Sequence, residues 1–261
     1  MLYFSQANAK TKRLNSVTAL AKYLQGGRKV YSMDLSAGYT CPGAKECKSK
    51  AVVNPITGKA TIKDGHDCQF RCFSATQEAL FPTVRALHAS NTEQIKNLKT
   101  VNEITNLILT SLPDKAGIIR LHVSGDFFKL IYMQAVVRAA QSRPDILFYF
   151  YTKSINYLEK VVKRLGTSRV DLSIGKILPN LLATASIGGK YDDLINKIGI
   201  RKAYVVFSEL EASTLPIDHD DSHAATIGGS FALLLHGVQP KGSTAAAALS
   251  ILDGKGSYSR V

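Results

Sequence analysis

Four cysteines, Cys41, Cys47, Cys68 and Cys72, are all the chain contains, and they fall within 32 consecutive positions, 41–72. They form two pairs, C-x5-C and C-x3-C, separated by a polar loop. Thiolate sulfur is polarisable and binds soft or borderline metals, and two short-spaced pairs can converge on one centre. Cysteines serving as inert core would be scattered, so the clustering points to a metal centre. Zinc sites usually separate the members of a pair by about two to four residues. Iron–sulfur clusters accept wider spacings, and a proline directly after a ligand, as in Cys41-Pro42, suits them. A [4Fe–4S] cluster on all four cysteines is the leading expectation. Zinc, or disulfides and unligated thiols, are the alternatives, and a reducing cytosol disfavours the disulfides.

The elements that must position these cysteines follow from hydrophobic pattern. Residues 30–35 alternate and read as a strand, so Cys41 and Cys47 sit on the loop leaving it. The stretch 48–67 carries turn signals at Asn54-Pro55 and Thr57-Gly58 and has room for a small hairpin. Phe70 and Phe73 flank the second pair and would wall a centre from water. Ser74-x-x-Gln77 has the capping-box pattern, and Pro82 kinks that helix or opens a second one. His88 reads as a boundary residue rather than a ligand. One helix spans 92–112, with Ile95, Leu98, Ile104, Leu107 and Ile108 near one face. Strands at 118–123, 146–151, 181–186 and 203–207 then alternate with helices at 132–141, 155–165 and 191–198. A buried strand at 231–235 and an alanine-rich helix at 243–252 follow.

Strands apolar on both faces belong in a parallel sheet covered by helices. The expectation is a single α/β domain over 1–261, with a mainly parallel sheet in a partial or irregular β/α barrel. Residues 41–72 form a metal-binding insertion within it. An open doubly wound sheet is the other solution, although no G-x-G-x-x-G opens any helix. In a β/α barrel the C-terminal ends of the strands make the site. Those ends carry the first cysteine pair, Ser124-Gly125-Asp126, Thr152-Lys153-Ser154, Ser186 and Ser208-Glu209. Asp126, Lys153 and Glu209 are therefore the candidate catalytic side chains, and Gly125 with Asp126 the candidate cofactor contacts, glycine allowing close approach. A plain ion pair of Lys153 with Glu209 across the barrel mouth is the structural alternative.

Two resemblances bear on this pattern. The order of strand, cysteine loop, helix, strand ending Gly-Asp, strand ending Thr-Lys-Ser and strand ending Ser-Ile-Gly-Gly resembles the partial barrel of radical S-adenosylmethionine enzymes. That likeness implies a [4Fe–4S] cluster on the cysteine loop and S-adenosylmethionine bound beside it, with Gly125-Asp126 matching the motif that binds the methionine amine. The cysteine spacing departs from the C-x3-C-x2-C of that superfamily. If all four thiolates ligate, no iron is open to the cosubstrate. The phrases CPGAKEC, FRCFSATQEA, RLHVSGDFF and FYFYTKS resemble a phage-encoded domain family, gene product eighty-eight, over roughly 32–153 and onward. That likeness implies a virus-encoded protein of the bacterial cytoplasm and no particular reaction.

A length of 261 residues suits one large α/β domain and buries a core that needs no covalent staples. The formal net charge of +13 attracts polyanions. It supports a second functional expectation: a basic, zinc-holding, nucleic-acid-binding phage protein without catalysis. No RNP, zinc-finger or helix-turn-helix pattern accompanies it. The clusters Lys10, Lys12, Arg13 and Lys160, Lys163, Arg164 read as solvated basic surface. The first fifteen residues lack a signal-peptide run, and no stretch has the length of a membrane span, so a cytoplasmic protein with no membrane partner is expected. Residues 218–223 pack His219, His223 and three aspartates together, types able to ligate a divalent ion or move a proton. Their spacing matches no established motif and reads as a polar loop. The Gly- and Ser-rich stretch 254–260 is a phosphate cradle or, more commonly, a frayed tail.

Overall fold

The computed structural model describes residues 1–166 and 169–252. The strands are β1 (Ser5–Gln6), β2 (Lys29–Met33), β3 (Ser49–Val53), β4 (Ala60–Asp64), β5 (Ala116–Leu121), β6 (Leu147–Thr152), β7 (Lys176–Leu178), β8 (Leu181–Ser186), β9 (Lys202–Val206) and β10 (Phe231–Leu234). The helices are α1 (Ala21–Leu24), α2 (Phe73–Leu80), α3 (Pro82–Asn97), α4 (Val101–Ser111), α5 (Leu130–Ser142), α6 (Ile155–Leu165), α7 (Asp192–Ile198), α8 (Glu209–Ala212), α9 (Ser222–Ala225) and α10 (Thr244–Leu252). The tail at 254–260 lies outside the described residues.

Nearly every residue of β5, β6 and β8 is buried, as expected of central strands covered on both faces. The protein is an α/β fold with a mainly parallel sheet. β2, β5, β6, β8, β9 and β10 pair in that order, each parallel to the next. β1 adds antiparallel to β2, and β7 adds antiparallel to the start of β8. The parallel strands follow chain order without the reversal that a doubly wound sheet shows. Among the described residues no pairing joins β10 back to β1 or β2, so the sheet is not a closed barrel. β3 and β4 form their own hairpin inside 41–72, at the turn signals.

Alternation along the strands separates two cores. Ile119, Leu121, Phe148, Phe150, Ala183 and Ala185 face α4, α5, α6 and α7, packing on Ile104, Ile108, Val136, Leu158 and Ile195. Val30, Ile118, Leu147, Tyr149, Leu182 and Phe231 face the other way, onto Leu14, Leu20, Tyr23 and the α9 alanines. Arg201 fastens α9 there, donating to the carbonyl of Ala224 at 2.7 Å and of Thr226 at 2.6 Å.

Two helix readings are corrected. The single helix over 92–112 is two, because Thr100 and Glu103 build a capping box. Glu103 N donates to Thr100 Oγ1 (3.2 Å) and Thr100 N donates to the Glu103 carboxylate (2.8 Å). Conversely, Ser74 caps nothing. Cys72 is the N-cap of α2, and the Ser74 hydroxyl donates to the Val123 carbonyl at 2.8 Å, tying the helix to the end of β5. Pro82 opens α3 in its first turn, where its missing N–H costs nothing. No described helix is long and apolar enough to cross a membrane.

Candidate metal centre

A cavity of about 210 Å³ opens where the parallel strands end. Cys41, Cys47 and Cys72 line it, together with Gly125, Asp126, Lys153 and Ser186. Phe70 and Phe73 form part of the wall. Cys68 is not among the described lining residues. Its Sγ donates to the Phe70 carbonyl at 3.1 Å and stands 3.5 Å from Ser49 Oγ. All four cysteines are free of disulfides. Burial raises every thiol pKa, to about 12 for Cys47 and well above the ordinary value for Cys41. Cys72 and Cys68 are raised as well. Such thiols hold their protons and make poor nucleophiles. A metal reverses this, because coordination removes the proton outright. Among the described residues no three of His, Cys, Asp and Glu are grouped tightly enough to hold one metal ion.

The loop bearing Cys41 and Cys47 is pinned from two sides. It lies directly on the exit of β6: a methyl group at Gly43 would overlap the Lys153 carbonyl oxygen. It also pairs with the exit of β8, through Lys190 N donating to Gly43 O (2.8 Å) and Glu46 N donating to Gly188 O (3.0 Å). Buried Glu78 of α2 holds the approach to the loop. Its Oε1 accepts from Ala37 N (2.8 Å) and Ser124 Oγ (3.1 Å) and lies 2.7 Å from His88 Nδ1. His88 is thus a structural partner, in line with its reading as a boundary residue. Gly43→Ala is expected to leave the far-UV circular dichroism unchanged and to weaken, about tenfold or more, the binding of any metal that Cys41 and Cys47 hold, as loss of support around a metal site does. Unchanged metal affinity in that variant would contradict the role given to the loop.

The strand-exit residues are mostly brought together around the cavity. The Asp126 carboxylate accepts four hydrogen bonds: from Thr152 Oγ1 (2.7 Å), Phe127 N (2.7 Å), Lys153 N (2.9 Å) and Ser154 Oγ (3.3 Å). It staples the end of β5 to the end of β6. Burial still raises its pKa, although these donors oppose the shift. Gly125 lines the cavity and is also tightly packed. Its φ is 84°, and a Cβ would stand 2.7 Å from Leu35 Cβ. Lys153 lines the cavity and donates its ammonium to the carbonyls of Ser186 (3.2 Å) and Ile187. Glu209 is exposed at the start of α8 and is not among the described lining residues.

Sequence reasoning missed the rest of the lining. Lys10, Arg120, His122, Tyr151, Asp221 and His236 line the same cavity. Lys10 is buried, not solvated, and its Nζ lies 3.0 Å from Asp221 Oδ1. Arg120 pairs with the other oxygen of Asp221, and the hydroxyls of Tyr149 (3.1 Å) and Tyr151 (3.3 Å) donate to the same carboxylate. Burial alone would raise Asp221, but Arg120 and Lys10 outweigh it and hold its carboxyl below the ordinary value. Asp218, buried beside that charge, is pushed up. The loop read as merely polar thus turns two of its aspartates inward, whereas His223 stacks on Phe231.

His122 and His236 carry a pH dependence. Burial, reinforced by Arg120, lowers His122 to about 3. Burial lowers His236 to about 4. In the unfolded chain both protonate near pH 6.5. Below that pH the unfolded state binds more protons, so stability falls as the pH drops toward 4 and then 3. Each histidine accounts for about 2 kcal/mol lost between pH 7 and pH 5. Urea unfolding at the two pH values should show this share for His122 as a shallower acid loss in His122→Asn. An unchanged slope would contradict it.

Six parallel strands in chain order, with a cavity lined by three thiols at their ends, make the chain an α/β protein with a mainly parallel sheet. Residues 2–252 match the model of the Gene product 88 family, and the chain belongs to that family. No curated protein and no solved structure matches the chain.

Proposed function

We propose that this is a phage protein of the bacterial cytoplasm that holds a [4Fe–4S] cluster on Cys41, Cys47 and Cys72, in a redox or radical S-adenosylmethionine-like role. The observation that carries the reading is the convergence of these three thiols on one cavity at the strand ends. One tetrahedral zinc ion would need sulfurs about 3.8 Å apart, given a Zn–S bond near 2.3 Å. A cluster places each thiolate on a different iron and spreads them further. The C-x5-C spacing of Cys41 and Cys47, wider than zinc pairs usually are, supports the cluster over zinc. Cys68 is engaged with Phe70 and Ser49, and a cluster held by the other three thiolates would keep one iron free for a cosubstrate.

A partial barrel is part of this reading, and the cavity lining supports it. Across a flat sheet, five steps of about 4.8 Å would separate β2 from β10 by about 24 Å. Yet Gly38 and Cys41, beyond β2, share one cavity with Leu233 and His236, in and beyond β10. A curved sheet would bring them together. S-adenosylmethionine would then bind at the open iron beside Gly125 and Lys153. Asp126, with its carboxylate held by four donors, positions that wall and does not grip the amine. The cluster, when bound, would supply an electron to the cosubstrate. The protein's own groups hold the thiols in place. Adding S-adenosylmethionine to the reconstituted, reduced protein should shift the paramagnetic resonance spectrum of the cluster. An identical spectrum would restrict the cluster to electron transfer or structure.

A further inference from the structure

The inner end of the cavity has a chemistry distinct from its thiol-bearing mouth. Arg120 lies within β5 and Tyr151 within β6, whereas the three cysteines sit on loops beyond the strands. Among the described lining residues are three cations, Lys10, Arg120 and Lys153, and two carboxylates, Asp126 and Asp221. Asp126 is saturated by four donors, and Lys153 is committed to carbonyls at the mouth. The guanidinium of Arg120 lies 5.4 Å from the Tyr151 ring centroid, which holds its planar fork in one orientation.

His122 adds the decisive feature. Its Nδ1 is buried and has no hydrogen-bond partner among the described residues. Its backbone is held at φ 67°, a left-handed conformation uncommon for a residue with a side chain. An unmet buried polar atom and a strained backbone both cost free energy, and they persist where a site is being kept. Nε2 of the same ring lies 2.8 Å from the Tyr132 hydroxyl. With that hydroxyl donating to Nε2, the neutral ring carries its proton on Nδ1 as a donor.

We propose that this inner end binds the oxyanion group, carboxylate or phosphate, of a small polar molecule, with Arg120 and Lys10, two cations that share the single carboxylate of Asp221, supplying the one positive charge left over and His122 Nδ1–H a directed hydrogen bond. The bound molecule is the substrate presented to the cysteine end, a step that rests on the cluster reading. Oxyanion binding itself stands on the cavity alone.

The test uses cluster-free, fully reduced protein and two probes, inorganic phosphate and acetate, against chloride at matched ionic strength and pH. Alkylation of each cysteine by iodoacetamide is followed by mass spectrometry. A bound oxyanion should slow Cys41, Cys47 and Cys72 saturably, by up to about threefold at twice its dissociation constant, the limit reached when the filled cavity no longer admits the reagent. Cys68 should be unaffected. The anion with the lower half-saturating concentration identifies phosphate or carboxylate as the natural group. His122→Asn, which tolerates the left-handed backbone, should raise that concentration at least about tenfold. If neither anion slows the three cavity cysteines, or all four slow alike without saturation, the proposal fails. Should His122→Asn not fold, the wild-type comparison decides alone. Failure here leaves the cluster reading intact, and a protein that assembles no cluster can still show the oxyanion effect.

Discussion

Serine in place of Cys41, Cys47 or Cys72 is expected to cut iron incorporation to about a tenth or less of the wild-type level, because each substitution removes a thiolate ligand. Serine at Cys68 should leave most of the iron in place. The contrast follows from position: three thiols line the cavity, and Cys68 Sγ turns to the Phe70 carbonyl. Iron and sulfide assays on the four variants after anaerobic reconstitution check it. Equal loss at all four positions would put every thiolate on the cluster and close the site to a cosubstrate. Equal retention would remove the cluster altogether.

The second large effect concerns stability. Asp221→Asn should cost about 3–5 kcal/mol, the usual penalty for removing one partner of a buried ion pair. Asp221 is fully buried and is shared by Lys10, Arg120 and two tyrosine hydroxyls. Its depressed carboxyl stabilises the fold at any pH above the ordinary carboxylate value of about 3.9. That contribution is lost only as the pH falls below that value toward the folded one. Urea unfolding at neutral pH measures the cost. A change under about 0.5 kcal/mol, the range of an ordinary surface substitution, would show that the network is not the anchor described.

The residues that were legible in the sequence are those whose environment is announced locally. β5, β6 and β8 are apolar on both faces, so their burial and parallel pairing could be read directly. Once parallel strands were expected, Asp126, Lys153 and the first cysteine pair had to leave them at one end, and they do line one cavity. The two-residue β1 and three-residue β7 are too short to leave a pattern. The break before α4 was announced by Thr100 and Glu103, but an apolar period running through both helices masked it. Lys10 misled because a lysine in a basic cluster resembles solvated surface, and only tertiary structure brings Asp221 to it, 211 positions away. A local signal did exist for the inner wall. In Ile119-Arg120-Leu121-His122, a cation sits within an otherwise apolar central strand and an imidazole directly follows its last residue. Side chains of that kind in a buried strand require a polar cavity on one face. Glu209 was placed by the same strand-end argument as Asp126, but it begins a helix that turns it to solvent.

Metal and sulfide analysis of protein purified without oxygen tests the central claim most directly. The expected result is a brown protein with broad absorbance near about 400 nm and about four iron and four sulfide per chain. A colourless protein carrying stoichiometric zinc and no sulfide would contradict it, and would favour a basic, zinc-holding partner of nucleic acid.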